Sequence, residues 1–373
     1  MLDRLFVDNY RCLVNFECRF GAKQLILGPN GSGKTTLFDV LALLRDFCVG
    51  GLQFEYAFAG PTRTRWQQVS EQTFELDVSG NDGAYTFRLV IDAWGNPVRP
   101  RVVKEEVYFS GKPIFRFSQG EVHLFNDKHE EKVKYPFDWH RSALATITER
   151  PENTKLSWFK RWFSNLLFIN PDPRQMGPLA EKEANAPTRN LSNFAGWYRH
   201  LRLESDDQNL LEDLREAIPG FESLDLKESG GGSRFLTVTF SIPEVEGHAK
   251  QYFSHGFHEL SDGQRVLIGL YSALHYALKP GATLFFDEPD NFVALREIQP
   301  WLDQVLDQVE DENSNKQVVF ISHHPELLDR LALEGGLILD RPENRHTRVR
   351  AFSDPAQTGL SPAELIARGW ENE

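Results

Sequence analysis

The sequence predicts an α/β fold in which helices cover a parallel sheet and an antiparallel β region is attached. Three observations lead to this prediction. A buried strand near the N-terminus runs into a glycine-rich turn and an apolar helix, residues 73–124 alternate between apolar and polar side chains, and the chain from His258 onward alternates between helices and strands. Helices that alternate with strands are typical of a parallel sheet, whereas successive alternating runs separated by turns are typical of an antiparallel one.

The first elements follow from short apolar runs. Leu5–Val7 and Phe16–Phe20 are predicted to be strands, and Gln24–Leu27 is a buried strand that ends at a glycine turn. The next segment, Thr35–Cys48, has apolar residues at helical spacing. The N-terminal part therefore predicts a strand, turn and helix in succession.

The predicted secondary structure changes twice in the middle of the chain. Turn signals at Gly80–Gly83 and Gly95–Pro97 separate alternating runs, which predicts an antiparallel meander. Residues 142–218 are predicted to be mainly helical, and Arg234–Phe240 returns to strand. Three later strands complete the parallel sheet: Ala282–Phe286, Gln317–Ile321 and Gly336–Leu339. We predict three parts: an N-terminal lobe (1–140), a helical insertion lobe (141–257) and a C-terminal lobe (258–373).

The amino-acid composition argues against several classes of protein. The 373 residues are 40% hydrophobic and 25% charged, with a net charge of -13 and three cysteines that form no CxxC pair. These values argue against a disordered chain, a disulfide scaffold, a zinc site and a protein that coats nucleic acid by overall charge. Neither a membrane-spanning run nor a secretory signal is evident, so we expect a cytoplasmic protein without a membrane partner.

A phosphate-binding loop is the strongest motif. Residues 28–35 read GPNGSGKT and fit the pattern G-x-x-x-x-G-K-[ST], after a strand and before a helix. Glycines let backbone amides converge on phosphate oxygens, the lysine neutralises the β- and γ-phosphates, and the threonine hydroxyl binds Mg²⁺. We expect ATP to contact Gly28, Pro29, Asn30, Gly31, Ser32, Gly33, Lys34, Thr35 and Thr36.

Two carboxylates end the apolar strand before Pro289. Asp287 is predicted to hold Mg²⁺ together with Thr35, and Glu288 is predicted to orient or deprotonate the attacking water. Two acids at the end of a strand would ordinarily form a solvated turn. Because they follow a full phosphate loop, the catalytic interpretation is favoured.

The sequence Leu260–Arg265 (LSDGQR) resembles the signature of ABC-type ATPases, and it precedes the acidic pair as in that family. The resemblance implies that Ser261, Asp262, Gly263 and Gln264 contact ATP bound to a second subunit. It also implies a switch histidine after the strand that ends at Ile321. His323 is the preferred residue and His324 is the alternative.

Within the ABC-type ATPases, the chain is similar to the SMC, RecF and OLD-like group. The opening VDNYRCLVNFECRF places Arg11 where that group has an arginine that reaches nucleotide, and Asn30 matches its GxNGSGK loop. The resemblance implies an ABC-ATPase head with a mixed central sheet, an antiparallel β subdomain and a helical signature lobe. Two features depart from the group: no long coiled coil is evident, and no space remains after His323 for a TOPRIM nuclease domain.

The glutamine loop of the family is harder to place. Gln175 follows the predicted strand Leu166–Pro171 and is the first choice. Asn170, at the end of that strand, and Gln72, before a strand of the meander, are the alternatives.

The resemblance implies an ATPase that uses ATP and Mg²⁺ and forms an ATP-dependent, head-to-tail homodimer. Its expected role is a clamp or sensor in DNA repair or antiviral defence that controls DNA or a separate nuclease or toxin effector. Two segments could contact DNA, Lys155–Phe168 and Arg341–Arg350, although the first also reads as a core helix. The alternatives are the energy-coupling subunit of a transporter and a regulatory module with negligible turnover.

Overall fold

A computed structural model describes residues 1–58, 62–92, 101–242, 250–311, 315–353 and 359–369. Within these ranges the strands form three sheets, of eight, six and four strands. None of the helices in the described ranges combines the length and the apolar composition needed to cross a lipid bilayer.

The largest sheet is antiparallel and comes from the N-terminal part of the chain. Its strands are β1 (Leu2–Asp8), β2 (Phe16–Arg19), β4 (Glu71–Gly80), β5 (Gly83–Asp92), β6 (Arg101–Phe109), β7 (Lys112–Ser118), β8 (Glu121–Phe125) and β9 (Glu131–Pro136), in the order β2-β1-β4-β5-β6-β7-β8-β9. The turn predicted at Gly80–Gly83 joins β4 to β5. The turn predicted at residues 95–97 lies outside the described residues.

The six-stranded sheet positions the site. Its strands are β3 (Lys23–Leu27), β10 (Leu166–Ile169), β15 (Thr283–Asp287), β16 (Gln317–Ile321), β17 (Gly336–Asp340) and β18 (Arg348–Ala351), in the order β10-β15-β16-β3-β17-β18. All neighbours are parallel except β17 and β18, so the sheet is mixed as predicted. Asp287 lies beside Ile321, and Ile321 lies beside Ile26. The segments that follow β15, β16 and β3 therefore emerge at one edge.

The third sheet lies in the segment predicted as a helical lobe. Its strands are β11 (Leu179–Ala180), β12 (Phe221–Glu228), β13 (Arg234–Ile242) and β14 (Gln251–Gly256), with β13 paired to the other three. Residues 141–257 thus contain both helices and strands. Because the six-stranded sheet takes strands from all three predicted parts of the chain, the division into lobes stays a prediction.

Helices pack against all three sheets. They are α1 (Lys34–Cys48), α2 (Phe54–Ala57), α3 (Ala143–Thr146), α4 (Thr154–Ser164), α5 (Phe194–Glu204), α6 (Gln208–Ala217), α7 (Asp262–Tyr276), α8 (Leu295–Glu310), α9 (Pro325–Gly335) and α10 (Pro362–Arg368). Successive side chains of a strand point to opposite faces. Accordingly, Phe285 packs in the core that contains α1, whereas Leu284 and Phe286 pack in the core that contains α7 and α8. Burial on both faces explains why β15 is apolar along its length.

Candidate nucleotide-binding site

The loop between β3 and α1 requires glycine at two positions. Gly28 has φ +137°, and a Cβ atom there would lie 2.0 Å from the Leu339 carbonyl oxygen. Gly33, which caps α1 with φ +107°, would place a Cβ atom 2.7 Å from the Thr347 hydroxyl. Thr347 also donates a hydrogen bond to the Ser32 carbonyl oxygen, so β17 and the segment after it support the loop. The glycines of the motif are thus needed for close backbone approach as well as for φ.

A cavity of about 590 Å³ opens over this loop. Its size lies in the range of small-molecule sites. The residues that line it are Arg11, Cys12, Asn30, Gly31, Ser32, Gly33, Lys34, Thr35, Thr36, Arg63, Arg65, Trp66, Glu288 and Arg341. Five of these side chains are arginine or lysine at one end of a protein whose net charge is -13, which suits a polyanion.

Two polar groups of the loop have no charged hydrogen-bond partner among the described residues. The Lys34 ammonium donates to the carbonyl oxygens of Gly28, at 2.5 Å, and of Pro29, at 3.2 Å. Burial lowers the pKa of Lys34, and the nearby carboxylates of Glu288 and Asp287 oppose this shift. The Ser32 hydroxyl is buried and has no hydrogen-bond partner among the described residues. Because an unpaired buried hydroxyl costs about 1–3 kcal/mol, a phosphate oxygen beside it would be stabilising. The loop therefore fits a phosphate group.

A second cavity, of about 490 Å³, shares Thr35 and Glu288 with the first and is also lined by Asp287, Asn170, Arg189 and Asn190. Burial raises the pKa of Asp287, while the Arg189 guanidinium and a hydrogen bond from Asn170 oppose this shift. Hydroxyl and carboxylate oxygens are suitable ligands for Mg²⁺. No group of three or more His, Cys, Asp or Glu residues in the described ranges could hold a metal by itself. A Mg²⁺ ion at Thr35 and Asp287 would therefore need phosphate oxygens or water as well.

Glu288 connects the two cavities. Its backbone has φ +50°, and its amide donates to the Ile321 carbonyl oxygen at 2.7 Å, which ties it to the end of the neighbouring strand. The side-chain amide of Asn291 donates to its carboxylate at 2.8 Å. This backbone conformation is uncommon outside glycine and is frequent at functional sites.

The two predicted switch histidines differ in position. His323 lines a neighbouring cavity of about 270 Å³ together with Gly28 and Pro29. Burial and the charge of Lys34 lower the pKa of His323, and the Glu288 carboxylate opposes this shift. His324 instead caps α9, and its Nδ1 atom is buried without a partner among the described residues. Of the two, His323 is the one beside the phosphate loop.

The signature residues lie at the start of α7. The Ser261 hydroxyl accepts a hydrogen bond from the Gln264 amide at 3.3 Å, and the Gln264 side chain accepts one from the Ser261 amide at 3.1 Å. Asp262 forms an ion pair with Arg265, and Gly263 packs against the Phe292 carbonyl group. The described lining of the phosphate-loop cavity includes none of residues 261–264. Within one chain the signature and the phosphate loop do not form a joint site.

The three candidates for the glutamine-loop residue lie at different distances from the site. Asn170 lines the same cavity as Asp287 and is close enough to that carboxylate to oppose the rise in its pKa. Gln175 donates to Asp172 at 2.6 Å and accepts from Asn190 at 2.6 Å, so it reaches the cavity only through Asn190. Gln72 is the second residue of β4 and is fully buried, and its side chain donates to the Asn9 carbonyl oxygen. The structure brings Asn170 to the site and leaves Gln72 in the core.

Of the two candidate DNA-contacting segments, α4 and Arg341 are engaged within the chain. In α4, Phe159 is fully buried, Trp158 stacks on Tyr85, and Lys160 donates to the Ile147 carbonyl oxygen. Arg341 donates to the Gly31 carbonyl oxygen at 3.0 Å and stacks on Trp66. The first segment is a core helix, and Arg341 belongs to the phosphate-loop cavity.

Sequence reasoning missed Arg189, Asp39 and Trp66. Arg189 and Trp66 lie in segments without a motif, and only the folded chain brings them to the site. Asp39 had a usable signal, because it stands one helical turn after Thr35 and therefore on the same face of α1.

Three comparisons relate the chain to known proteins. The profile of the family described as "AAA domain, putative AbiEii toxin, Type IV TA system" matches residues 25–329. A stretch of 44 residues is 46% identical to the OLD nuclease of Thermus scotoductus, and this stretch is only 12% of the chain and 8% of that relative. The fold is similar to the SMC head domain from Thermotoga maritima, with a TM-score of 0.51 and 12% identity over 95% of this chain and 99% of that chain. The SMC head bound to the C-winged helix domain of ScpA gives a TM-score of 0.53 and 11% identity over 94% of this chain and 98% of that chain.

Proposed function

The chain belongs to the AAA-domain family named for the AbiEii toxin of type IV toxin–antitoxin systems, within the SMC/RecF/OLD-like group of ATPases, and we propose that it hydrolyses ATP between two subunits. One observation carries this proposal. The phosphate loop, which includes Lys34, lines one cavity together with Glu288. Thr35 and Asp287 lie together in the lining of the adjacent cavity. This arrangement contains a phosphate cradle, a cation site and a carboxylate for water.

Each side chain has a role that follows from its position. Lys34 would exchange its neutral carbonyl partners for the charged β- and γ-phosphates, and Ser32 would donate its unpaired hydroxyl to a phosphate oxygen. Glu288 would orient the attacking water and accept its proton, with His323 beside the loop in the neighbouring cavity. A divalent cation held by Thr35 and Asp287 would neutralise charge on the phosphates. Trp66 offers an aromatic surface at the rim for the base.

The proposal includes a second subunit because Ser261 does not reach the phosphate loop of its own chain. In a head-to-tail dimer, the start of α7 would cover ATP on the partner. Its free amides and the Ser261 hydroxyl would then contact the γ-phosphate, as helix N-termini do with anions.

A mixing experiment tests the composite site. Lys34→Ala and Ser261→Arg should each be inactive, because each removes one half of both sites. In a mixed dimer, one site combines both defects and the other has an intact Lys34 and an intact Ser261. Partial recovery of ATPase activity on mixing would support the dimer.

Strict cooperation between sites would also prevent recovery, so a second measurement is needed. Light scattering on Glu288→Gln with ATP should show a dimer, since ATP would persist in the sites. A strictly monomeric species together with no recovery on mixing would refute the proposal.

For the biological role, we propose a nucleotide-driven clamp or sensor that controls an effector protein in defence or repair. The family description names a toxin, and the short match is to a nuclease. One structural relative is an SMC head bound to a domain of ScpA, a separate protein, which supports a protein partner for this fold. Direct DNA contact is the second candidate, through Arg345 and Arg348. A protein partner is favoured because the chain is acidic overall and α4 is packed in the core.

A further inference from the structure

Four side chains of alternating charge connect the two cavities of the site. Arg11 donates to Asp39 at 2.7 Å, Arg189 donates to the other oxygen of Asp39 at 2.7 Å, and Arg189 also donates to Asp287 at 2.7 Å. Arg11 lines the phosphate-loop cavity, whereas Arg189 lines the cavity of Thr35 and Asp287. The chain of charges therefore begins at the phosphate-loop cavity and ends at Asp287 in the neighbouring cavity.

The contact between Arg189 and Asp287 occupies a carboxylate that a divalent cation would bind. The Nη2 atom of Arg189 is bound to Oδ2 of Asp287, whose side chain is only 6% exposed. A guanidinium there occupies one carboxylate oxygen and places a positive charge beside the position of a divalent cation, and like charges at this distance repel each other. Arg189 must therefore move away from Asp287, or weaken that contact, when a cation arrives.

Asp39 is the group that can accept Arg189 when this happens. It already holds Nη1 of Arg189, so the guanidinium can keep one carboxylate partner while it leaves the other. The arrival of ATP phosphates would attract Arg11 and free the second oxygen of Asp39. Asp39 could then bind Arg189 in the two-pronged geometry that arginine and carboxylate favour.

We propose that Arg189 is a gate for the divalent cation: it holds Asp287 while the site is without metal and shifts to Asp39 when Mg²⁺ enters with ATP. This inference rests on the proposed function and specifies how the same site is regulated. Its consequence is that ATP binding at the phosphate loop promotes cation binding at Asp287. Arg189 is thereby a positioning residue that acts through Asp287.

Substitutions at Arg189 and at Asp39 should shift the Mg²⁺ requirement in opposite directions. Arg189→Ala removes the competitor of the cation and should lower the Mg²⁺ concentration at half-saturation by about fivefold or more. Asp39→Asn removes the carboxylate that receives Arg189 and should raise that concentration by a similar factor. The double variant should behave like Arg189→Ala, since the effect of Asp39 requires Arg189. A merely structural role would shift both single variants in the same direction.

The probe is a fluorescent, non-hydrolysable ATP analogue, kept below the protein concentration, whose anisotropy is followed as Mg²⁺ is added. Arg174→Ala is the matched control, because it removes an exposed arginine between β10 and β11 without touching Asp287. Its Mg²⁺ dependence should equal that of the wild type. Arg189→Gln provides a second variant if Arg189→Ala loses its native circular dichroism.

The experiment distinguishes failure of the gate from failure of the proposed function. An unchanged or higher Mg²⁺ requirement in both Arg189 variants, or equal shifts in Arg174→Ala, would overturn the gate while leaving ATP binding intact. A shift of Asp39→Asn in the same direction as Arg189→Ala would also overturn it. If the wild type failed to bind the analogue at any Mg²⁺ concentration, the proposed function itself would fail.

Discussion

Replacing Glu105 by glutamine should stabilise the protein above neutral pH and change little near pH 5. Glu105 lies in β6 with no exposed surface, and its carboxylate accepts hydrogen bonds from the Ser142 hydroxyl and from the amides of Ala143 and Leu144, at 2.9 and 3.2 Å. The Cys48 thiol and the Lys160 ammonium are the other titratable groups that face it. Glutamine can preserve this geometry, because its oxygen can accept both amides while its NH₂ donates to Ser142.

The magnitude follows from the pKa. Burial raises the pKa of Glu105 from 4.5 to about 7, although hydrogen bonds from Ser142, Leu144, Ala143 and Cys48 oppose the shift. Between these values the folded state keeps a proton that the unfolded state has released, so the free energy of unfolding falls as pH rises. At about 1.4 kcal/mol for each pH unit, Glu105 costs the wild type about 3 kcal/mol by pH 8. For a chain of 373 residues this corresponds to a Tm difference of about 4 °C.

The assay is thermal unfolding of the wild type and Glu105→Gln from pH 5 to pH 8, followed by tryptophan fluorescence. The difference between the two proteins isolates Glu105, because all other carboxylates are shared. Glu106→Gln is the control: this neighbour in β6 is also buried, but it pairs with Arg116 at 3.0 Å, so its removal should not stabilise. A Tm difference for Glu105→Gln that stays constant across this pH range would refute the reasoning.

Three further predictions concern the nucleotide. Lys34→Ala should lose ATP binding, whereas Glu288→Gln should retain ATP and release phosphate slowly; normal turnover in the second would reject Glu288 as the base. Trp66→Ala should weaken ATP binding about tenfold if the base stacks there, and Trp139→Ala, which removes another exposed tryptophan with an arginine on its face, should have no effect. Gly28→Ala should abolish ATP binding and lower the Tm, because its Cβ atom would lie 2.0 Å from a carbonyl oxygen of β17. A Gly28→Ala protein with normal affinity would contradict that packing argument.

The sequence alone identified the elements whose geometry is local. A phosphate loop is recognisable because its glycines, lysine and threonine act within a few bonds of each other, between a strand and a helix. The acidic pair was recognisable for the same reason, since it ends an apolar strand. The parallel sheet, the antiparallel meander and the resemblance to SMC/RecF/OLD-like ATPases were likewise predicted and are confirmed.

The tertiary structure decided which distant residues meet these motifs. Asn170 reaches Asp287 because β10 lies beside β15, whereas Gln175 is held one contact away by Asn190. Arg189 follows β10 by some twenty residues, yet the fold places it between α1 and the end of β15. Such contacts depend on strand order, register and the path of loops, which no local spacing in the sequence encodes. The motifs identified the candidate phosphate loop, and the packing of the sheet determined which charges surround it.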